Sequence, residues 1–80
     1  MVTDRILTRV GNNIRRIRRE KGLSIEQLSF ASAVNKSYIS DLERGVRNPT
    51  IVMLDRIAVA LDIDVSELVN DPLKKKNTLF

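Results

Sequence analysis

NKSYISDLERGVRNPT, residues 35–50, is the stretch on which the fold turns. It opens on an asparagine suited to cap a helix, runs to about Arg44, stops at Gly45 and restarts after Pro49 with Thr50 as the next cap. Only Ile39 and Leu42 offer an apolar face, with Tyr38 beside them. So narrow a strip anchors a helix while leaving its Lys, Ser, Asp, Arg and Asn side chains facing outward. What they face is the functional question.

Working outward, the chain keeps the same punctuation. Ile6, Leu7, Val10, Ile14 and Ile17 recur at gaps of three and four, which predicts a first helix over residues 4–21. Thr3 is its expected cap, Asp4 sits at the positive end of its dipole, and Gly22 stops it. Ser24-Ile25-Glu26-Gln27 has the form of a capping box and opens a short second helix to about Ser32, with Leu28 inward. After Thr50, Ile51, Leu54, Ile57, Ala58 and Leu61 repeat at helical spacing and are expected to serve the core. Asp64-Val65-Ser66-Glu67 has a capping pattern for a last helical turn to about Asn70, which Asp71-Pro72 ends. Five short helices, tight connections and no strand pattern predict an all-α five-helix bundle. The expected organisation is one domain over residues 1–72 and a basic tail over 73–80 carrying Lys74, Lys75 and Lys76.

Composition narrows the chemistry. Among 80 residues there is no histidine and no cysteine, which removes the commonest general base, the commonest metal ligand, thiolate sites and disulfides. No paired carboxylates stand at helical spacing, so an enzyme, a cofactor site and a small-molecule ligand are not expected. No apolar run is long enough to span a bilayer, and the N-terminus lacks the pattern of a secretory signal; a cytoplasmic protein is expected. The net charge of +4 is unevenly spread. Arg15, Arg16, Arg18, Arg19 and Lys21 lie between Gly11 and Leu23 against the single acid Glu20. Such a stripe suits phosphates, although on charge alone a solvated helix face is the better explanation.

Two short helices joined by Ala31-Ser32-Ala33-Val34 look like a helix-turn-helix. The phrases RRIRREKGLSIEQL, SYISDLERG and RNPTIVMLDRIAVALDI make residues 8–69 resemble the phage-repressor type, the XRE or Cro/repressor family. Small Ser29, and Val34, Ile39 and Leu42 as core residues, fit that pattern. Within the family ERGVRNPT resembles the controller proteins of restriction–modification systems, a style shared with phage and plasmid repressors. Two positions depart from the pattern. Ile25 stands where a glutamine commonly anchors the DNA backbone, and Ala33 stands where a turn glycine is usual. If that turn requires positive φ, alanine costs about 1 kcal/mol there.

The resemblance implies that the second motif helix enters the major groove with its N-terminal residues at base edges. The residues so placed are Asn35, Lys36, Ser37, Ser40 and Asp41. Lys36 suits guanine O6 and N7, and Asp41 suits a cytosine amino group or, alternatively, simply repels wrong placements. Tyr38 is expected to pack its ring at the domain edge and turn its hydroxyl to a phosphate. Arg47 and Asn48, in the following loop, with Gln27 and Arg16, complete the expected DNA contacts, most of which set affinity and register. The plainer alternative is that Asn35 only caps and the others are solvated. Arg18 and Glu43 match a structural ion pair of the family, so Arg18 is set apart from the DNA contacts. Arg15 and Arg19 remain looser candidates.

The fourth helix is apolar on too many sides for one core. Val52, Met53, Val59 and Ala60 lie off the Leu54–Leu61 face, with Ile63 and Val65 close behind, and a helix apolar nearly all round must be covered nearly all round. A homodimer through these six residues is expected, presenting two recognition helices to a pseudo-palindromic operator with half-sites ~34–36 Å apart. The expectation is therefore a sequence-specific transcriptional regulator of double-stranded DNA. If it is a controller, RNA polymerase is a further partner. An antitoxin-like protein-interaction module is the alternative from another class.

Overall fold

The computed structural model describes residues 5–72, five helices in the order α1 (Arg5–Glu20), α2 (Ile25–Ser32), α3 (Lys36–Glu43), α4 (Ile51–Leu61) and α5 (Ser66–Val69). The expected cap Thr3, Asp4 and the tail from Leu73 onward lie outside the described residues. Helices α2, α3 and α4 are each started by a side-chain cap. Ser24 and Gln27 form the reciprocal capping box, with the Ser24 hydroxyl accepting from the Gln27 amide at 3.0 Å and Gln27 Oε1 accepting from the Ser24 amide at 2.8 Å. Asn35 and Thr50 accept from the Ser37 and Met53 amides to cap α3 and α4.

Three helices stop in the same way. After α1 and α3, Gly22 and Gly45 turn into the left-handed region with φ of 72° and 73°. The next amide then reaches back, Leu23 to the Arg18 carbonyl and Val46 to the Asp41 carbonyl, closing a Schellman motif. Asp62 plays the same part after α4 at φ 59°, with Ile63 bonded back to Ala58. Entry to α5 departs from expectation, since neither Asp64 nor Val65 supplies a side-chain cap. Val65 is already helical, and the backbone carbonyls of Asp64 and Val65 close the turn by accepting from Glu67 and Leu68.

The core is Val10, Ile14 and Ile17 of α1, Leu28, Val34, Ile39 and Leu42 of the motif, Leu54, Ile57, Ala58 and Leu61 of α4, and Leu68 of α5. Helix α1 packs on α3 along one side and on α5 along another, while α2 packs on α3 and α4. Ile51, expected in the core, is 68% exposed. Helical side chains lean toward the N-terminus, so a residue in the first helical position projects off the end rather than onto the neighbouring layer. Ile6 is likewise at the open end of α1 and is 37% exposed.

Two contacts absent from the sequence reading hold α1 in place. Gly11 is buried in mid-helix, where a Cβ would run into the backbone carbonyls of Leu42 and Glu43 at the end of α3. Asn13, also buried, donates from Nδ2 to the Leu68 carbonyl at 2.9 Å and to the Asn70 carbonyl at 2.8 Å, and Arg9 Nε donates to the Val69 carbonyl at 2.8 Å. A four-residue helix cannot satisfy its own carbonyls, and these side chains do it instead.

Candidate nucleic-acid interface

The turn between α2 and α3 fixes the approach of the candidate reading helix. Ala33 adopts φ 57°, ψ 32°, the left-handed geometry that makes glycine usual at such a turn. Alanine is held there by its neighbours. Ser29 Oγ donates to the Val34 carbonyl at 2.6 Å, Ser32 Oγ donates to the Leu28 carbonyl at 2.7 Å, and the Val34 amide donates to Ser32 Oγ at 3.3 Å. Val34 is buried directly after the turn, so α3 starts from a fixed point.

From there Ile39 and Leu42 are buried and the remaining side chains of α3 are distributed by its helical phase. Asn35, Lys36 and Ser37 are exposed at its N-terminus; Ser40 and Asp41 are half-buried one turn on. The Asn35 side-chain Oδ1 accepts from the Ser37 amide at 2.7 Å, which leaves the side-chain Nδ2 for a ligand. A shallow groove brings Lys36, Ser37, Ser40, Asp41 and Arg44 of the α3 region together with Ser24, Ile25 and Glu26 from the start of α2. Ile25 thus lies on this surface, without the hydrogen-bonding side chain usual at its place.

Charge on this face is tightly paired. Lys36 Nζ lies 3.4 Å from Glu26, and Asp41 receives Arg44 on one oxygen at 2.5 Å and Arg47 on the other at 3.0 Å. Arg47 also lies over the Tyr38 ring, 4.7 Å from its centroid, and Tyr38 packs partly against the core. The hydrogen bonds from Arg44 and then Arg47 hold the Asp41 carboxyl below its ordinary range; the backbone amide at the start of α2 and Lys36 do the same for Glu26.

Arg18 and Glu43 stand behind this face. Both are buried, and Arg18 donates to the two Glu43 oxygens from Nε at 2.6 Å and Nη2 at 2.9 Å and to the Leu23 carbonyl from Nη1 at 2.8 Å. These bonds raise the guanidinium above its ordinary value, against the opposing effect of burial. The pair ties α1 to the end of α3.

The remaining sequence candidates are placed less uniformly. Gln27 spends its carbonyl oxygen on the capping box. Asn48 is exposed in the loop after α3. Arg16 is not brought to the groove. It lies beside Asn13 and Glu20, on the side of α1 where Asn13 reaches α5, with 3.4 Å to each. Arg15 also approaches the end of α3, with its Nε 3.9 Å from Glu43. Of the expected dimer residues, Val52 and Val59 share one face of α4 and are 62% and 69% exposed, whereas Met53, Ala60, Ile63 and Val65 are partly covered by their own core. Phe30 on α2, 91% exposed, had no expected role, and a single aromatic on a polar helix carries no periodic signal.

No helix among the described residues is long and apolar enough to cross a membrane. The profile of the helix-turn-helix family HTH_3 matches residues 14–68. The HTH-type transcriptional regulator y4dJ of Sinorhizobium fredii is 48% identical over 60 residues, which cover 75% of this chain and 78% of that one. The crystal structure of the restriction-modification controller protein C.AhdI from Aeromonas hydrophila superposes with a TM-score of 0.76 at 44% identity, over 78% of this chain and 94% of that chain. The regulator SinR, solved in complex with DNA, matches with a TM-score of 0.73 at 37% identity, over 76% of this chain and 98% of the solved chain. Some relatives are longer, and the match spans 40% of SlrR and 57% of SinR from Bacillus subtilis. The turn geometry, the five-helix order and these likenesses agree: the chain belongs to the helix-turn-helix HTH_3 (XRE-type) family of DNA-binding transcriptional regulators.

Proposed function

We propose that the chain binds a pseudo-palindromic operator as a homodimer and acts as the controller of a restriction–modification system. The observation that carries the reading is the start of α3. Asn35, Lys36 and Ser37 stand exposed at a capped helix N-terminus while Ile39 and Leu42 seat the same helix in the core. A helix so held offers its first turn to base edges, and the loop arginine Arg47 to the flanking backbone. The controller assignment is supported by the likeness to C.AhdI, which spans nearly all of that chain, and the DNA contact by the likeness to SinR in its complex. The homodimer is supported by Val52 and Val59, two exposed valines one heptad apart on α4. Such a protein works where the DNA is, in the cytoplasm, and its family is one of regulators rather than enzymes.

The test is selection from a pool of random duplexes, followed by sequencing and a salt series on the enriched site. A two-fold symmetric site is expected, with affinity falling steeply as salt rises. Paired reversal of Lys36 and Arg47 to Glu should abolish binding, and Val59→Glu should give monomers by sedimentation with weakened operator binding. Absence of any enriched site removes the regulator reading. An enriched site lying upstream of restriction and modification genes supports the controller; activation in a promoter assay with purified RNA polymerase separates it from a pure repressor.

A further inference from the structure

Lys36 and Arg47, two of the cations expected to meet DNA, already have partners within the chain, as does the neighbouring Arg44. Lys36 is held by Glu26, and Arg44 and Arg47 are held by the two oxygens of Asp41. Solvent-exposed ion pairs contribute little to stability, and two carboxylates on a DNA-facing surface repel phosphates. Their placement therefore needs another reason. Asp41 joins the arginine that caps its own helix to one in the next loop, and Glu26 crosses from α2 to α3. Both span separate parts of the face.

A carboxylate that accepts from a guanidinium or an ammonium makes the same bonds that a phosphate oxygen would make. We infer that Glu26 and Asp41 are internal competitors for the DNA backbone, holding Lys36, Arg44 and Arg47 away from phosphates and thereby setting the ratio of operator to random-sequence affinity. This rests on the DNA-binding reading above and adds a specificity role to it. Random duplex must break three ion pairs and then sits against two unpaired acids. An operator can supply a donor such as a cytosine amino group to the released carboxylate. The penalty is present throughout the neutral range, where carboxylates are ionised, and the hydrogen bonds they accept hold both carboxyls still further below that range.

The experiment compares the full chain with Asp41→Asn and Glu26→Gln, each near-isosteric. Binding is measured across a salt series to the wild-type-selected site and to a random duplex of equal length. Asp55→Asn, which removes an exposed acid of α4 outside the groove, gives the baseline for a bare charge change. Asp41→Asn is expected to raise random-duplex affinity about fivefold at low salt. It should also steepen the salt slope by up to about 1.8, about 0.9 for each of the two arginines it frees. The selected site should gain less, so that the specificity ratio falls. Glu26→Gln should move the same way by a smaller amount, since it releases one cation. Random-duplex affinity no higher than that of Asp55→Asn in both variants overturns the inference, even if operator affinity drops; Asp41 then only reads a base. Wild-type protein that selects no site removes the regulator reading and this inference with it, whereas a selected site with unresponsive variants removes the inference alone.

Discussion

Replacing Arg18 by methionine isolates the largest electrostatic commitment in the fold. The substitution keeps the aliphatic stem and deletes three charge-assisted hydrogen bonds, two to Glu43 and one to the Leu23 carbonyl. A buried carboxylate then remains, and among the described residues its remaining cation is Arg15, whose half-exposed side chain brings Nε to 3.9 Å. Breaking one side of a buried pair costs about 3–5 kcal/mol. Arg15 can turn partly toward Glu43, so Arg18→Met should lie near 3. Glu43→Met should lie nearer 4, since the Arg18 charge is left with one neutral carbonyl. A domain of this size has only about 4–12 kcal/mol in all, so either variant is close to the unfolding threshold. The double variant buries neither charge and should recover at least about 2 kcal/mol relative to the sum of the singles. Urea denaturation followed by circular dichroism on all four proteins gives the coupling energy. A coupling below about 0.5 kcal/mol would mean that the two side chains do not act as a unit, and the structural assignment of Arg18 would fail.

Gly11→Ala should gain about 1 kcal/mol of helix propensity, yet lose about 3 in net stability, because its methyl meets rigid backbone at the end of α3. A melting temperature at or above wild type would refute that contact. Ala33→Gly should stabilise by about 0.5–1 kcal/mol by relieving the left-handed turn, while leaving DNA affinity unchanged; a destabilised variant would show that the alanine is not strained. Asp41 should titrate below the unperturbed value of about 3.9, so its ion pairs are complete at higher pH and are lost only as pH falls through the lower folded value. A carboxyl carbon titration by NMR measures this directly, and a midpoint above 3.9 would contradict the pairing with Arg44 and Arg47.

Most of the architecture is legible because its instructions are local. Ser24-x-x-Gln27, Asn35 and Thr50 name their helices' first residues, Gly22 and Gly45 their ends, and the three-and-four spacing gives the buried face of α1. What escaped depends on distant partners. Nothing near Gly11 says that the α3 backbone lies against it, and Asn13 looks like any polar helix residue until α5 is seen to need its amide. Ile51 fits the core spacing and misses the core because the helix begins before its neighbours do. The outward residues of α3 follow from the narrow Ile39–Leu42 strip, but their pairing with Glu26 and Arg47 requires knowing how α2 and the loop return to the same face. Arg16 shows the limit of a charge run, since each step along a helix turns the side chain by about 100° and fans consecutive arginines round the axis.

With no side chain between them at Gly11, α1 and α3 meet as bare backbone, and the other flank of α1 is bolted by Asn13 and Arg9 to the end of α5. The domain is in effect a gauge block, whose reading edge stands at a set offset from its far end. A two-fold pair of such blocks would tolerate an inserted base pair between half-sites only by straining the DNA or opening the joint between copies, never by flexing the head that reads it.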